Sequence, residues 1–255
     1  MNKNSIPILE FDEDKNAIIS PNDFNKNIPK IQEKCILCFF NEIIDELEKQ
    51  GKIRHITELH SPLGNHKIYE MTYNDVSINV FNPGLGGPMA GGFVDELIGL
   101  GVKNFMACGG AGVLIDEIEM GTLIVPMSTV RDEGLSYHYF PANQDIFLKN
   151  EVYNKIESVL NENEIKFLKG KTWTTDAIYR ETKTKIQNRK KQGCICVEME
   201  FASMLSVALF RNVNFGQLLY GGDSVDGGIW KYRDWLKNES VQMKMFWLCA
   251  DILTK

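Results

Sequence analysis

Residues 193–213 read GCICVEMEFASMLSVALFRNV. The stretch begins extended and becomes a helix. Its neighbours follow the same alternation. FLKGKTWTTD (167–176) has strand character, and the helix before it, EVYNKIESVLNENEI, aligns Val152, Ile156 and Leu160 on one face. On the other side, NFGQLLYGGDS (214–224) predicts a strand running into a glycine loop, and WLKNESVQMKMFWLCADIL (235–253) a closing helix.

The pattern extends upstream. CILCFF (35–40) has strand length. FNEIIDELEKQG puts Ile43, Ile44 and Leu47 on one helical face, with Gly51 as a stop. YEMTYNDVSINVFNPG predicts two strands around Asn74 and Asp75. MAGGFVDELIGLG has helical spacing through Phe93, Leu97 and Leu100. KNFMACGG predicts a buried strand ending in a GGAG turn, and GTLIVPMSTVRDEG another strand. Strands alternating with helices over the whole length argue for an α/β domain built on a central sheet. Residues 1–30, with Pro7, Pro21 and Pro29, form an irregular polar lead-in to a single domain over 31–255.

The chain has 255 residues, 44% apolar and 24% charged, which excludes disordered and collagen-like classes. A net charge of −6 disfavours a general nucleic-acid binder, which needs a basic surface to neutralise phosphates. No segment is apolar for the roughly 18 residues a membrane span needs. The polar, acidic start MNKNSIPILEFDEDKN lacks a signal-peptide core, so a cytoplasmic protein with reduced thiols is expected. Cys35 and Cys38 form one CxxC without a second ligand pair, and with Cys108, Cys194 and Cys196 they are expected as buried strand residues. No metal site is predicted.

In an open α/β sheet, ligands bind beyond the carboxyl ends of strands. Four loops there carry unusual residues: GLGGPMAGG (84–92), CGGAG (108–112), VEME (197–200) and YGGDS (220–224). The first fails the dinucleotide fingerprint, having methionine where the last glycine or alanine belongs. Its glycines, Gly86 among them, instead let backbone approach a ligand or a neighbouring helix. Glu198 and Glu200 share a side if the segment is extended and diverge at a helix start. Such acids suit either the vicinal hydroxyls of a sugar or the free N–H groups of a helix start. Asp223 suits either a turn residue or a general acid.

Taken together, the four loops resemble the nucleoside phosphorylase I family of uridine phosphorylases, purine nucleoside phosphorylases and methylthioadenosine nucleosidases. The resemblance runs from about residue 35 onward. GLGGPMAGGFVDELIGLGVKNF resembles the family's glycine loop and helix, and CGGAGVL its central strand-turn. VRDEGLSYHYFP resembles a segment of the uridine phosphorylase branch, and CVEMEFAS the ribose-binding signature.

The resemblance implies a three-layer α/β/α fold with a mixed central sheet and cleavage of an N-ribosyl bond. No organic cofactor is implied, with inorganic phosphate as a candidate co-substrate. It implies a homo-oligomer, dimer or hexamer, acting on a small-molecule nucleoside. Glu200 would accept hydrogen bonds from the ribose 2′ and 3′ hydroxyls with Met199 packed on the sugar, and Glu198 would lie beside them. Asp223 would bond to or protonate purine N7. Gly110, Ala111 and Gly112 would lie against substrate, with Ile178 and Tyr179 near the base. His138, in SYHYFP, suits either the site or an aromatic cluster.

The anion site departs from the family. The phosphate loop matches Cys38-Phe39-Phe40-Asn41, without its glycine or arginine. Ala107 replaces a second arginine, and a third, near Gly64, is missing. A phosphorylase would need a rebuilt site, with Arg54, Arg131 or Arg180 as candidates. A hydrolase would use water activated by a carboxylate such as Glu42, or Ile43 stands at that position instead. Between Tyr179 and Glu198 the chain is too short for the uracil-reading loop, so a purine is expected. A binding protein that keeps the ribose grip without turnover is the alternative of a different class.

Overall fold

The structure is a computed structural model and describes residues 6–235 and 239–255. The chain forms β1 (Lys34–Cys38), α2 (Asn41–Lys49), β2 (Arg54–Ser61), β3 (Gly64–Tyr73), β4 (Val76–Phe81), α3 (Gly87–Gly99), β5 (Asn104–Val113) and β6 (Leu123–Asp132). There follow α4 (Asn150–Glu162), β7 (Phe167–Thr175), α5 (Lys183–Lys191), β8 (Cys194–Glu198), α6 (Phe201–Phe210), β9 (Asn214–Ser224) and α7 (Glu239–Thr254). A one-turn α1 (Pro21–Phe24) lies in the lead-in. The closing helix was expected from Trp235; residues 236–238 of that expectation lie outside the described residues.

The nine strands form one mixed sheet in the order β2-β3-β4-β1-β5-β8-β7-β6-β9. β9 also pairs in parallel with β5. The second half of the sheet therefore curls until its last strand meets its middle. Apolar faces of α2, α4 and α7 pack on one side through Leu47, Ile156 and Phe246. The other side is covered by α3 and α6, with Phe93, Leu97, Phe201 and Leu205 in the contact. This is the three-layer arrangement with a mixed sheet. All six cysteines are buried free thiols.

The sequence pattern missed the one-turn α1 within the expected irregular lead-in, and also β2 and α5. β2 is a half-exposed edge strand with little apolar alternation, and α5 buries only Ile186. Periodicity reports burial, so elements with one buried side chain leave no trace in it. Two expected turns are strand instead. CGGAG lies within β5 and YGGDS within β9, and the two segments pair with each other. Their glycines stay extended because rings approach closely: a Cβ on Gly109 would lie 3.2 Å from Phe39, and one on Gly222 3.2 Å from Trp235. The Asn74–Asp75 turn is formed as expected, with both residues at positive φ (48° and 61°).

The α3–α6 contact positions the ends of β4 and β8. A Cβ on Gly87 would run into Ser203 Oγ and come within 3.2 Å of Glu133 Oε2. Ser203 donates to that same carboxylate oxygen. Gly87→Ala therefore has to part the helices or break the bond. A loss of about 1–3 kcal/mol in urea unfolding is expected.

Candidate functional site

The junction of β8 and α6 is held by a buried acid. Glu198 ends β8 and is 6% exposed. Its Oε1 accepts from Thr174 Oγ1 at 2.5 Å and Thr172 Oγ1 at 3.3 Å. Its Oε2 accepts from the backbone N–H groups of Glu200 at 2.7 Å and Phe201 at 2.5 Å. Glu198 is thus turned inward onto the start of α6, the second of the two roles open to it in the sequence. Burial pushes its carboxyl up to about 7 against the pull of these donors.

Glu200 leaves the strand direction (φ −135°, ψ −25°), so the two acids diverge. Its Oε1 accepts from the Gly86 N–H at 2.7 Å. Gly86, at φ 86°, takes a conformation open mainly to glycine. The glycine loop after β4 is thereby tied to the VEME segment. Burial, then the charge of Glu198, push Glu200 up to about 8. Met199, between the two acids, is half-buried.

The far end of the site is formed where β5, β8 and β9 meet. Gly112 pairs with Val197 across β5 and β8. A Cβ on Gly112 would lie 3.1 Å from Val197 Cγ1 and 3.3 Å from Asp223 Oδ1. This notch brings Asp223 to within one strand of the segment carrying Glu200. Asp223 is half-buried and accepts from Trp230 Nε1 at 2.7 Å on Oδ2. Ala111 is buried beside the notch. Gly110 faces elsewhere, toward the rings of Trp235 and Tyr220.

A further acid, missed in the sequence, joins this end. Burial, then the charge of Asp223, push Glu181 up to about 7, with Lys185 opposing. Its signal was its place two residues after Tyr179 in TTDAIYRET. Ile178 and Tyr179, in a 3-10 turn, are exposed at the surface, Tyr179 by 96%.

A phosphorylase superfamily model matches residues 34–244. The chain belongs to that family. A guanosine phosphorylase of Halorubrum lacusprofundi is 27% identical over 177 residues, 68% of this chain and 70% of that protein. A DeoD-type purine nucleoside phosphorylase of Bacillus cytotoxicus is 26% identical over 159 residues, 62% of this chain and 68% of that protein. A uridine phosphorylase structure from Vibrio fischeri shares the fold, with a TM-score of 0.75 at 18% identity, covering 90% of this chain and 99% of that one.

Within this phosphorylase-family chain, several expected residues have other partners, lie in the core or are exposed at the surface. Arg131 is fully engaged: it donates to Ser136 Oγ and to the carbonyls of Pro141, Gln144 and Phe140. It is a clasp for the 136–144 loop, which removes it as an anion ligand. Arg54 pairs with Glu70 on the outer strands at 2.5 Å. Arg180 is exposed beside Tyr179. Glu42 is exposed in the first turn of α2 and shares no hydrogen bond with the site acids among the described residues, while Ile43 is buried in the core. His138 is exposed, and the expected aromatic contact is made by Tyr139 on Phe210, with ring centroids 5.3 Å apart. Ala107 is core, and Phe39 covers Gly109. Among the described residues no cluster of three His, Cys, Asp or Glu side chains would hold a metal ion.

The raised acids set a pH dependence. Glu181, Glu198 and Glu200 all sit above their ordinary value of 4.5. Between that value and about 8 the folded chain holds protons that the unfolded chain has lost. Stability therefore falls as pH rises through this window. The urea midpoint is expected to be lower at pH 8.5 than at 5.5, and Glu200→Gln to flatten the slope. Comparing the two proteins cancels His66, whose burial works in the opposite direction.

Proposed function

We propose that the protein cleaves the N-ribosyl bond of a purine nucleoside. Glu200 takes the ribose hydroxyls and Asp223 serves the departing base. The observation that carries this is the Gly112 notch, which lies 3.1 Å from Val197 and 3.3 Å from Asp223 Oδ1 by its missing Cβ. The absent Cβ lets Asp223 pack against β5, one strand from the segment that carries Glu200. Breaking the C1′–N9 bond sends its electron pair to the base and builds positive charge on the sugar. A proton delivered to N7 by Asp223 makes the base a better leaving group. The ionised Glu200, accepting from both hydroxyls, orients the sugar and favours its cation-like state. Met199 and Ala111 line the sugar side, and Ile178, Tyr179 and Glu181 the base side. The names of the two relatives, both purine-directed phosphorylases, support the same reading.

Phosphate is the acceptor those names support. Water is a second reading favoured by one observation: the family's anion positions are occupied by Phe39, packed on Gly109, and by the buried Ala107. A phosphate dianion needs charge-assisted donors worth roughly 1.5–3 kcal/mol each. The reading extends to a cytoplasmic homo-oligomer, dimer or hexamer. Leu63 in the β2–β3 turn and Leu85 in the glycine loop, exposed by 78% and 72%, suit burial against a second copy.

Purified protein incubated with guanosine, inosine and adenosine, with and without phosphate, is expected to release the free base. Ribose 1-phosphate identifies phosphorolysis, and ribose formed without phosphate identifies hydrolysis. Binding without base release would leave the non-catalytic alternative standing. Glu200→Ala should abolish measurable affinity for the sugar. Asp223→Asn should lower kcat by about 100-fold or more while KM changes little.

Glu200 holds its proton near neutral pH in the empty site, and hydroxyl donors favour its ionised form. Nucleoside affinity is therefore expected to rise from pH 6 to pH 8, with proton release on binding. Calorimetry in buffers of different ionisation enthalpy reads that release directly.

A further inference from the structure

Trp230 is placed in a way that core packing does not explain. Its indole is 64% exposed, yet its Nε1–H donates to Asp223 Oδ2 at 2.7 Å. The loop that carries it is held from several sides. Ser224 and Lys231 exchange backbone hydrogen bonds at 2.9 and 2.8 Å. Lys231 and Arg233 both reach Asp116, and Lys190 reaches Asp226 at 2.5 Å. Arg233 also donates to the Ile118 carbonyl at 2.9 Å. The Tyr232 ring meets the indole edge-on, with centroids 5.7 Å apart. The indole is thus presented by an ordered loop, through contacts that do not involve Asp223.

The consequence falls on the other oxygen of Asp223. A carboxylate on a single Cβ–Cγ bond has a broad torsional well. With Oδ2 anchored, Oδ1 is kept at the Gly112 notch, 3.3 Å from the place a Cβ would occupy. A displacement of about 1 Å at a reacting group can cost on the order of 100-fold in rate.

We propose that Trp230 is a positioning residue: its indole N–H fixes Asp223 Oδ2 so that Oδ1 faces the departing base. The proposal rests on the N-ribosyl cleavage reading.

The test is a double-mutant cycle on the full chain, using the purine nucleoside turned over fastest by the wild type. Trp230→Phe keeps a ring and removes the donor. It is expected to lower kcat about 10-fold with KM within about twofold, and Trp230→His, which restores a ring N–H, to recover part of the loss. In an Asp223→Asn background, Trp230→Phe is expected to cost less than about twofold, because groups acting through one another are not additive. Thermal melts of each variant check folding, which an exposed indole does not govern. Equal kcat for Trp230→Phe and wild type would overturn the proposal. So would the same loss in both backgrounds, or a loss confined to KM. Silence of the wild type on every nucleoside would overturn the cleavage reading itself, and this inference with it.

Discussion

The Glu198 carboxylate accepts from the N–H groups of Glu200 and Phe201 and from the hydroxyls of Thr172 and Thr174. An ionised carboxylate buried without partners costs several kcal/mol, whereas one lying on a helix start meets unsatisfied donors and the positive end of the dipole. The arrangement welds three elements together. β7 supplies the threonines, β8 the acid and α6 the N–H groups. The backbone has to turn sharply after Glu198 for those N–H groups to point back at it. That turn throws Glu200 out of the strand direction and toward the Gly86 N–H. The pair is therefore one device with two tasks: one acid fixes the bend, and the bend presents the other.

A second layer keeps the device in register with the glycine loop. Glu133, buried beyond β6, accepts from the Leu135 and Ser136 N–H groups and from Ser203 Oγ in α6. Gly87, at the start of α3, lies against the same serine and acid. α3 and α6 are consequently locked at their N-terminal ends, where Gly86 meets Glu200. The closure of β9 onto β5 does the corresponding work at the other end, since it sets Asp223 beside Gly112. Neither acid is placed by its own loop alone.

This explains which features could be read from the chain. The strand–helix alternation, the VEME segment and the Asn74–Asp75 turn carry local signals in residue type and spacing. The two roles open to Glu198 could not be separated, because its hydroxyl partners come from residues 24 and 26 positions away. Glu200 meets its donor across 114 residues. Arg131 was a reasonable anion ligand by charge, yet three of its four partners are carbonyls of a loop whose path no spacing predicts. Glu181 carries no signal of its own in the sequence beyond its place after Tyr179. Its significance comes from burial and from Asp223, which only the fold brings near. Chemistry assembled from distant strands is legible as residue types, while the partner that decides each role is not.

The proposed reaction would divide the site into halves under different physical demands. On that reading the sugar and base half would work with hydrogen bonds and movable protons, and Glu181 and Glu200, both raised by burial, suit a neutral nucleoside. A hydroxyl donor arriving at Glu200 favours its ionised form, so ligand binding and ionisation would be coupled there. The acceptor half faces the opposite requirement, since a phosphate brings about two negative charges toward these carboxylates. With Phe39 over Gly109 and Ala107 in the core, nothing at those positions offsets that repulsion. A neutral water meets no such barrier. A phosphate has to draw its counter-charge from other residues, or from a surface of a second copy.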